Sequence, residues 1–89
     1  MKILAIETSC DETSVALVEC SGGLRAPQFN VLKNIVSSQI AVHRPFGGVV
    51  PNLAKREHLK NLPKIFKTLL ASGYTLNPDV IAVTVGPGL

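Results

Sequence analysis

Aromatic residues are scarce in this sequence, which has no tryptophan, one tyrosine and three phenylalanines among 89 residues. Proteins that bind single-stranded nucleic acid do so largely by stacking bases on aromatic side chains. So few aromatic side chains argue against a stacking platform of that kind. Any contact with nucleic acid is therefore expected to be electrostatic.

Cysteines and long apolar runs are also few. The two cysteines, Cys10 and Cys20, do not form the C-x-x-C pair typical of zinc sites. The apolar run after Lys2 stops at Glu7, which is too short for a signal peptide. No run approaches the roughly 20 apolar residues of a membrane span. We therefore expect a cytoplasmic protein with reduced thiols and no contact with the membrane.

The composition is that of a folded chain with a modest positive charge. Hydrophobic residues make up 46% and charged residues 17%, a balance typical of globular proteins rather than disordered ones. The formal net charge is +3, but the basic residues are unevenly placed. Five of the nine lie within residues 55–67, where they are expected on one segment of the fold.

Four segments have the pattern of strands. Residues 3–6 form a continuous apolar run, which indicates a central strand covered on both faces. Residues 15–18 predict a second strand that pairs with the first as a hairpin. Residues 31–38 predict a third strand nearer an edge, because it carries polar side chains, and residues 80–85 predict another buried strand.

Residues 51–72 have the period of a helix. Pro51 suits the first helical turn and Gly73 suits the position just past the end. Pro63 removes a backbone donor inside the helix, so a kink or a break into two helices is expected there. The apolar residues that recur at three- and four-residue spacing, and so predict one buried face, are Leu59, Leu62, Ile65, Phe66, Leu69 and Leu70.

The order of these segments predicts an α/β fold. A three-strand meander, a helical crossover and a parallel fourth strand make up the half-fold of ribonuclease-H-like domains. Residues 86–89, Gly-Pro-Gly-Leu, then predict a glycine-rich turn leading from the last strand towards a further helix. We therefore expect the sequence to be part of a longer protein.

The turn between the first two strands carries Ser9, Cys10, Asp11 and Glu12. Backbone N–H groups and hydroxyls in such a turn can bind phosphate, and carboxylates can hold a hydrated metal ion. Aspartate and serine also favour turns for purely local reasons. Composition and spacing alone therefore leave an ordinary polar hairpin turn open.

Three blocks of the sequence resemble, in order, those of the TsaD family of tRNA threonylcarbamoyladenosine transferases. The first block is residues 6–13, IETSCDET. The second is residues 47–51, GGVVP, followed by Leu53, Ala54, Arg56 and His58, and the third is residues 85–89, VGPGL. The resemblance implies a bilobal actin-like ATPase (ASKHA) fold, with residues 1–89 as the N-terminal part of its first lobe.

The activity that the resemblance implies is an acyl-type transfer. The threonylcarbamoyl group would move from threonylcarbamoyl-AMP to N6 of the adenosine beside the tRNA anticodon. A divalent metal, iron or zinc, would be held by a His-x-x-x-His motif and a distant aspartate. His43 and His58 do not have that spacing. The ligands are therefore expected outside this sequence, with no metal site among the 89 residues, and the 89 residues alone are expected to be inactive.

On this reading Asp11 and Glu12 are the predicted catalytic residues. Ser9 and the backbone N–H of Cys10 are predicted to bind the phosphate of the adenylate or of ATP. The Cys10 thiol is expected to pack against the turn rather than act as a nucleophile, because no group that would activate it is evident beside it. His43 and Arg44 either shape the mouth of the cleft or belong to a surface loop.

Two features of the predicted helix carry further expectations. His58 falls on its apolar side and is predicted to be a hydrogen-bonded core histidine rather than a ligand. The opposite face is predicted to be solvated, with contact to tRNA phosphates as the alternative. That face carries Arg56, Lys60, Lys64 and Lys67.

Other functions remain open at this point. A small-molecule kinase of the same superfold would use the Ser9–Glu12 turn to hold nucleotide phosphates with magnesium. An older label for the family, a glycoprotease-type metallopeptidase, draws on the same histidine motif. Finally, the resemblance implies a heterodimer with a TsaB-like protein through the helix at 51–72, alongside other proteins of the modification pathway.

Overall fold

The fold is a four-stranded mixed sheet with one long helix on it. The computed structural model describes residues 1–74 and 77–85. Along the chain it contains strands β1 (Lys2–Glu7), β2 (Glu12–Ser21) and β3 (Gln28–Ser38), then the short helix α1 (Ile40–His43) and a 3-10 turn at Arg44–Phe46. Helix α2 (Pro51–Ala71) and strand β4 (Val80–Val83) follow. The glycine-rich turn predicted at residues 86–89 lies outside the described residues.

Strand β1 lies inside the sheet, whose order is β3-β2-β1-β4. It pairs antiparallel with β2, from Lys2 opposite Glu19 to Glu7 opposite Ser14. On its other side it pairs parallel with β4, where Ile3 lies opposite Val80. This arrangement confirms the α/β fold class, the hairpin, the meander and the parallel strand reached by a helical crossover.

The turn between β2 and β3 requires a glycine. Gly22 has a φ of +86°, a backbone conformation that L-residues rarely adopt. A Cβ at this position would lie 2.1 Å from the carbonyl oxygen of Ala26. Strand β2 ends at Ser21, directly before this glycine.

The core lies between α2 and one face of the sheet. Leu4 and Val15 from the strands pack against Ile65 and Leu69 from the helix, and all four are buried. Val15 and Leu17 alternate with residues that face away from the helix, as the two-residue period of a strand requires. The helix contacts β2 and β3, so it covers that half of the sheet.

Helix α2 begins and ends as its sequence predicts. Pro51 is its first residue, and Gly73, just beyond the capping residue Ser72, has a φ of +92°. The break expected at Pro63 does not occur, because the helix continues without interruption to Ala71. Pro63 is exposed, so the carbonyl that loses its partner lies on the side of the helix that faces water.

The predicted apolar face of α2 is wider than the buried one. Leu69 is buried, but Leu59 and Leu70 are 71% and 51% exposed, so the prediction that these two face the core is wrong. Leu59 and Leu70 lie about 20° apart on a helical wheel, and each lies about 80–100° from Leu69. They therefore form a second apolar stripe beside the core stripe.

Strand β4 is shorter and more exposed than its sequence predicts. It spans only Val80–Val83, and all four residues are exposed. Since α2 lies over β2 and β3, it does not cover β4 at the sheet edge. The prediction of a buried strand over residues 80–85 is therefore wrong for this chain.

The segment between β3 and α2 is helical rather than an irregular loop. Helix α1 and the 3-10 turn follow one another without a gap, and the turn ends at Gly47 with a φ of +75°. This segment buries His43 while leaving Arg44 exposed. It thus brings the His43 side chain beneath the loop that leads into α2.

Candidate functional site

The candidate site lies at the end of the sheet where β1 passes into β2. Residues 8–11 form the connecting turn, and Cys10 is in the left-handed region with a φ of +49°. The carbonyl oxygen of Asp11 accepts a hydrogen bond of 2.6 Å from the backbone N–H of Gln39. The polar turn is therefore tied to the segment that follows β3.

Glu7 organises the first part of this turn. Its carboxylate accepts hydrogen bonds from the backbone N–H of Ser9, at 2.7 Å, and from the Ser9 hydroxyl. It also accepts one from the hydroxyl of Thr84, just after β4. These bonds join the turn to the end of β4 across the sheet. The hydrogen bonds from Ser9 and Thr84 lower the pKa of Glu7 below its ordinary value of 4.5.

A shallow concavity of about 310 Å³ lies beside the turn, on the side of α1. Asp11 lines it, together with His43 and Arg44. The loop of Gly47, Gly48 and Val49 closes its rim. The half-buried Asp11 and the exposed Arg44 thus share one small cavity.

The four predicted site residues do not converge on one point. Asp11 lines the concavity, whereas Glu12 is exposed at the start of β2, on the face of the sheet opposite α2. Both donors of Ser9 are directed at Glu7. The thiol of Cys10 is free and exposed, and its carbonyl faces His58. The catalytic and phosphate-binding roles of these residues stay predictions.

The two histidines are structural members of the site. His58 is only 9% exposed, and its Nδ1 lies 2.7 Å from the Thr13 hydroxyl. The prediction of a hydrogen-bonded core histidine is confirmed. His43 is 4% exposed, and its Nδ1 accepts a bond from the Val50 N–H at 3.0 Å. Burial of His43 was not predicted, because nothing in the sequence around it marks a core position.

The residues present do not fit a metal ion. Within residues 1–74 and 77–85, no three His, Cys, Asp or Glu side chains are grouped closely enough to hold one. Both ring nitrogens of His43 and of His58 face partners within the protein. We therefore assign no metal chemistry to these residues.

Comparison with known proteins gives one consistent result. The model of the family described as TsaD, tRNA N6-adenosine threonylcarbamoyltransferase, matches residues 30–89. The chain belongs to the TsaD family.

Relatives in the TsaD family match the chain over its whole length. Proteins named tRNA N6-adenosine threonylcarbamoyltransferase are 52% identical in Thermosipho melanesiensis and 54% identical in Fervidobacterium nodosum. A third, from Aromatoleum aromaticum, is 50% identical. All three alignments cover 100% of this chain but only 25–26% of the relative. The chain therefore spans about a quarter of the length of these relatives.

Two further predictions concern the basic face of α2 and the absence of a membrane span in this TsaD-family chain. The four basic residues predicted on the outer face of α2 are all exposed, as a solvated face requires. Their contact with tRNA stays a prediction. Of the helices in the described part of the chain, none is both long enough and apolar enough to cross a membrane.

The lowered pKa of Glu7 predicts an acid-side loss of stability in a TsaD-family protein that carries these residues. When folding lowers the pKa of a carboxyl group, the unfolded chain binds protons more readily than the folded one. The group therefore adds to the free energy of unfolding at any pH above its unfolded pKa. This stabilisation is lost as the pH falls through its folded pKa. The free energy of unfolding should therefore decline below about pH 4.5. Glu7→Gln should reduce that decline, measured by urea unfolding at a series of pH values.

Glu57→Gln is the matched control, because Glu57 lies on α2 and takes no part in the hydrogen bonds from Ser9 and Thr84. It should keep the wild-type dependence on pH. An unchanged acid-side slope in Glu7→Gln would show that the bonds from Ser9 and Thr84 do not stabilise the fold.

Proposed function

We propose that the protein to which this chain belongs transfers a threonylcarbamoyl group to tRNA. In the proposed reaction, N6 of the adenosine beside the anticodon attacks the carbamoyl carbon of threonylcarbamoyl-AMP. The bond from that carbon to the phosphate oxygen breaks, AMP leaves, and N6 loses a proton. The single observation that carries this proposal is membership of a family whose relatives, at 50–54% identity, are named for this activity.

The geometry of the turn supports a role for this chain in holding the adenylate. In α/β folds, ligands bind outside the carboxyl ends of the parallel strands. Here β1 and β4 are parallel, and Glu7 and Thr84 meet at their carboxyl ends. The turn at residues 8–11 follows directly. Ser9 and the backbone of Cys10 would face the phosphate there, with Ser9 exchanging its bonds to Glu7 for bonds to the ligand.

Asp11 is the better placed of the two acidic residues to handle a proton. Asp11 lines a concavity together with Arg44, whose positive charge would attract a negatively charged ligand. A positioned carboxylate can accept the proton that N6 releases. Glu12 would act from the opposite face of the sheet, on the other side of the bound ligand.

The remaining parts of the reaction are assigned to residues outside this chain. We propose that residues 1–89 are the N-terminal part of the first lobe of a bilobal protein. A divalent metal, iron or zinc, would be held beyond these residues and would polarise the carbonyl or the phosphate when bound. The reaction would take place in the cytoplasm. The names of the relatives favour this transferase over the kinase and the metallopeptidase.

The test of the function is a direct assay. The protein, expressed at the full length of its relatives and carrying this sequence, is incubated with threonylcarbamoyl-AMP and unmodified tRNA. Digested tRNA is then examined for threonylcarbamoyladenosine by mass spectrometry. The control is tRNA with another base in place of the target adenosine. Absence of product, when the relatives are active under the same conditions, would overturn the proposal.

We further propose that α2 binds a TsaB-like partner through its second apolar stripe. Leu59 and Leu70 are exposed on one side of the helix, with the half-buried Phe66 between them. Exposed apolar side chains that share one side of a helix are typical of helices that dock against another helix. The exposed Lys55 lies one turn before Leu59 and lines the same concavity, so a positive charge borders the stripe at that end.

Alanine at both Leu59 and Leu70 is expected to weaken the heterodimer at least about tenfold, since two apolar contacts of roughly 1 kcal/mol or more would be lost. The measurement is titration calorimetry with the purified partner. Lys64→Ala, an exposed change on the basic face, should leave the affinity unchanged. Equal affinity for the double variant and the wild type would exclude this stripe as the interface.

A further inference from the structure

Gln39 is the most highly connected polar residue beside the candidate site. It is 1% exposed and lies between β3 and α1. Its backbone N–H donates to the Asp11 carbonyl, and its own carbonyl accepts from the N–H groups of Val42 and His43. Its side-chain amide lies 2.7 Å from Nε2 of His43 and 3.3 Å from the carbonyl of Ala54.

The polarity of the hydrogen bonds around His58 follows from its fixed partner. Nε2 of His58 lies 3.1 Å from the Cys10 carbonyl, which only accepts, so Nε2 carries the proton. The amide nitrogen of Gln39 only donates and also lies against Nδ1, so Nδ1 is the acceptor. The Thr13 hydroxyl donates to it at 2.7 Å and the Gln39 amide N–H donates at 3.2 Å.

The donors and acceptors around His43 are fixed by the backbone of Val50. The Val50 backbone N–H only donates, so Nδ1 of His43 accepts from it and Nε2 carries the proton. That proton is donated to the side-chain oxygen of Gln39. The amide nitrogen of Gln39 is then the one directed at His58 and Ala54. Every bond in the chain of contacts has a donor and an acceptor.

This network joins two loops between which the described residues form no direct hydrogen bond. One end is the Cys10 carbonyl in the acidic turn, and the other is the Val50 N–H after the glycine loop. Gln39 lies in the middle. In the described part of the chain, every buried side-chain nitrogen or oxygen atom has a hydrogen-bond partner. The network is therefore not destabilised by an unsatisfied buried polar atom.

We infer that Gln39 is a positioning residue, which holds the acidic turn and the glycine loop at 47–50 in one fixed relation through His58 and His43. The inference rests on the proposed function, because these two loops line the concavity that contains Asp11. Gln39 does not touch the ligand. It fixes the distance between the carboxylate on the turn and the opposite rim of the cavity.

Substitutions at Gln39 separate this role from simple packing. Gln39→Met keeps a similar volume but removes all three side-chain hydrogen bonds. Gln39→Glu keeps the acceptor for His43 and removes the donors to His58 and Ala54. A proton on the buried carboxyl of that variant restores one donor, and burial favours this protonated form. Gln28→Met and Gln28→Glu are the matched controls, because Gln28 is exposed at the start of β3.

Other charged groups around the network also affect how activity depends on pH. Asp11 and Arg44 line the concavity with His43, and Lys55 lines the one beside His58. Glu7 interacts electrostatically with His58. All of them are present in every variant. A difference in pH profile between Gln39→Glu and the wild type therefore reports the change at residue 39.

The first measurement is hydrogen exchange in the protein at the relatives' full length, under conditions where each variant is folded. In Gln39→Met, the protection of the Val50 N–H should fall about tenfold or more, although this N–H does not contact Gln39 itself. Both Gln28 variants should keep wild-type protection. Unchanged protection of Val50 in Gln39→Met would overturn the inference.

The second measurement is transfer activity. In Gln39→Met, kcat should fall about tenfold or more with a smaller change in KM, because the reacting groups are displaced while binding contacts remain. In Gln39→Glu, activity relative to the wild type should rise as the pH falls below neutral. Wild-type kcat in Gln39→Met, or a wild-type pH profile in Gln39→Glu, would contradict a positioning role.

Nitrogen NMR of the imidazole rings in the wild-type protein completes the test. Both histidines should carry their proton on Nε2 at neutral pH. A proton on Nδ1 of either ring would overturn the network even if the variants failed to fold. If the wild type proves not to be a transferase, the proposed function fails separately, and the exchange and NMR results still decide the network.

Discussion

Asp11→Asn and Glu12→Ala are each expected to lower the rate of tRNA modification at least about tenfold, in the protein at the full length of its relatives. The asparagine keeps the shape of the Asp11 side chain but cannot accept a proton. Folding should be nearly unchanged, because Glu12 is exposed and the bond from Gln39 to residue 11 uses the backbone carbonyl. The measurements are initial rates with threonylcarbamoyl-AMP and thermal unfolding of the same samples.

Glu19→Gln serves as the control for loss of a carboxylate on the same strand. Glu19 is half-exposed at the far end of β2, where it pairs with the N-terminal amine. Its variant should keep wild-type activity. Full activity in both Asp11→Asn and Glu12→Ala would remove the acidic turn from the proposed mechanism. Full activity in only one of them would assign the chemistry to the other residue.

The 89-residue chain on its own is expected to self-associate or to bind a dye that reports exposed apolar surface. Ile81 and Val83 on β4 are 61% and 55% exposed, and Val85 is 90% exposed. A fully exposed side chain of this kind forgoes roughly 1.5–3 kcal/mol of burial. Several such losses are comparable with the 5–15 kcal/mol by which whole domains are stable.

The 89-residue chain is compared with a protein of the relatives' length that carries the same sequence. Sedimentation and dye binding are measured for both at matched concentrations. The longer protein should stay monomeric or form only a defined complex, and it should not increase the fluorescence of the dye. A monomeric, dye-silent 89-residue chain would show that the sheet needs no further cover. Ile81→Lys in the short chain should reduce its self-association, because a charge on the edge strand opposes pairing.

The parts of the fold set by local pattern were predictable from the sequence. Strands β1 and β2 follow from apolar runs separated by a polar turn, and α2 follows from its period and from Pro51 and Gly73. Exposure was less predictable. Leu59 and Leu69 look alike in a helical pattern, and only the direction of the sheet relative to the helix decides which of them is buried.

The candidate site was predictable only in part. Its acidic residues stand in a conspicuous polar turn, so Asp11 could be singled out. Gln39 could not, because it follows two serines in an unremarkable polar stretch and its importance comes from partners 15 and 19 residues further on. Glu7 was missed for the same reason. Its contact with Thr84 spans 77 residues of sequence.

The parallel pairing of β1 with β4 also sets an order of events during synthesis. Strand β1 can pair with β2 as soon as β2 has been synthesised. Its other edge can pair only after β4 has been synthesised, and residues 8–79 separate β1 from β4. At a translation rate of ~5–20 residues per second, β4 emerges roughly 4–15 s after β1. During that interval the hairpin has a bare inner edge, which can template wrong pairings between nascent chains. The bonds from Lys2 to Asp79 and from Thr84 to Ile6 then close the last free edge of β1.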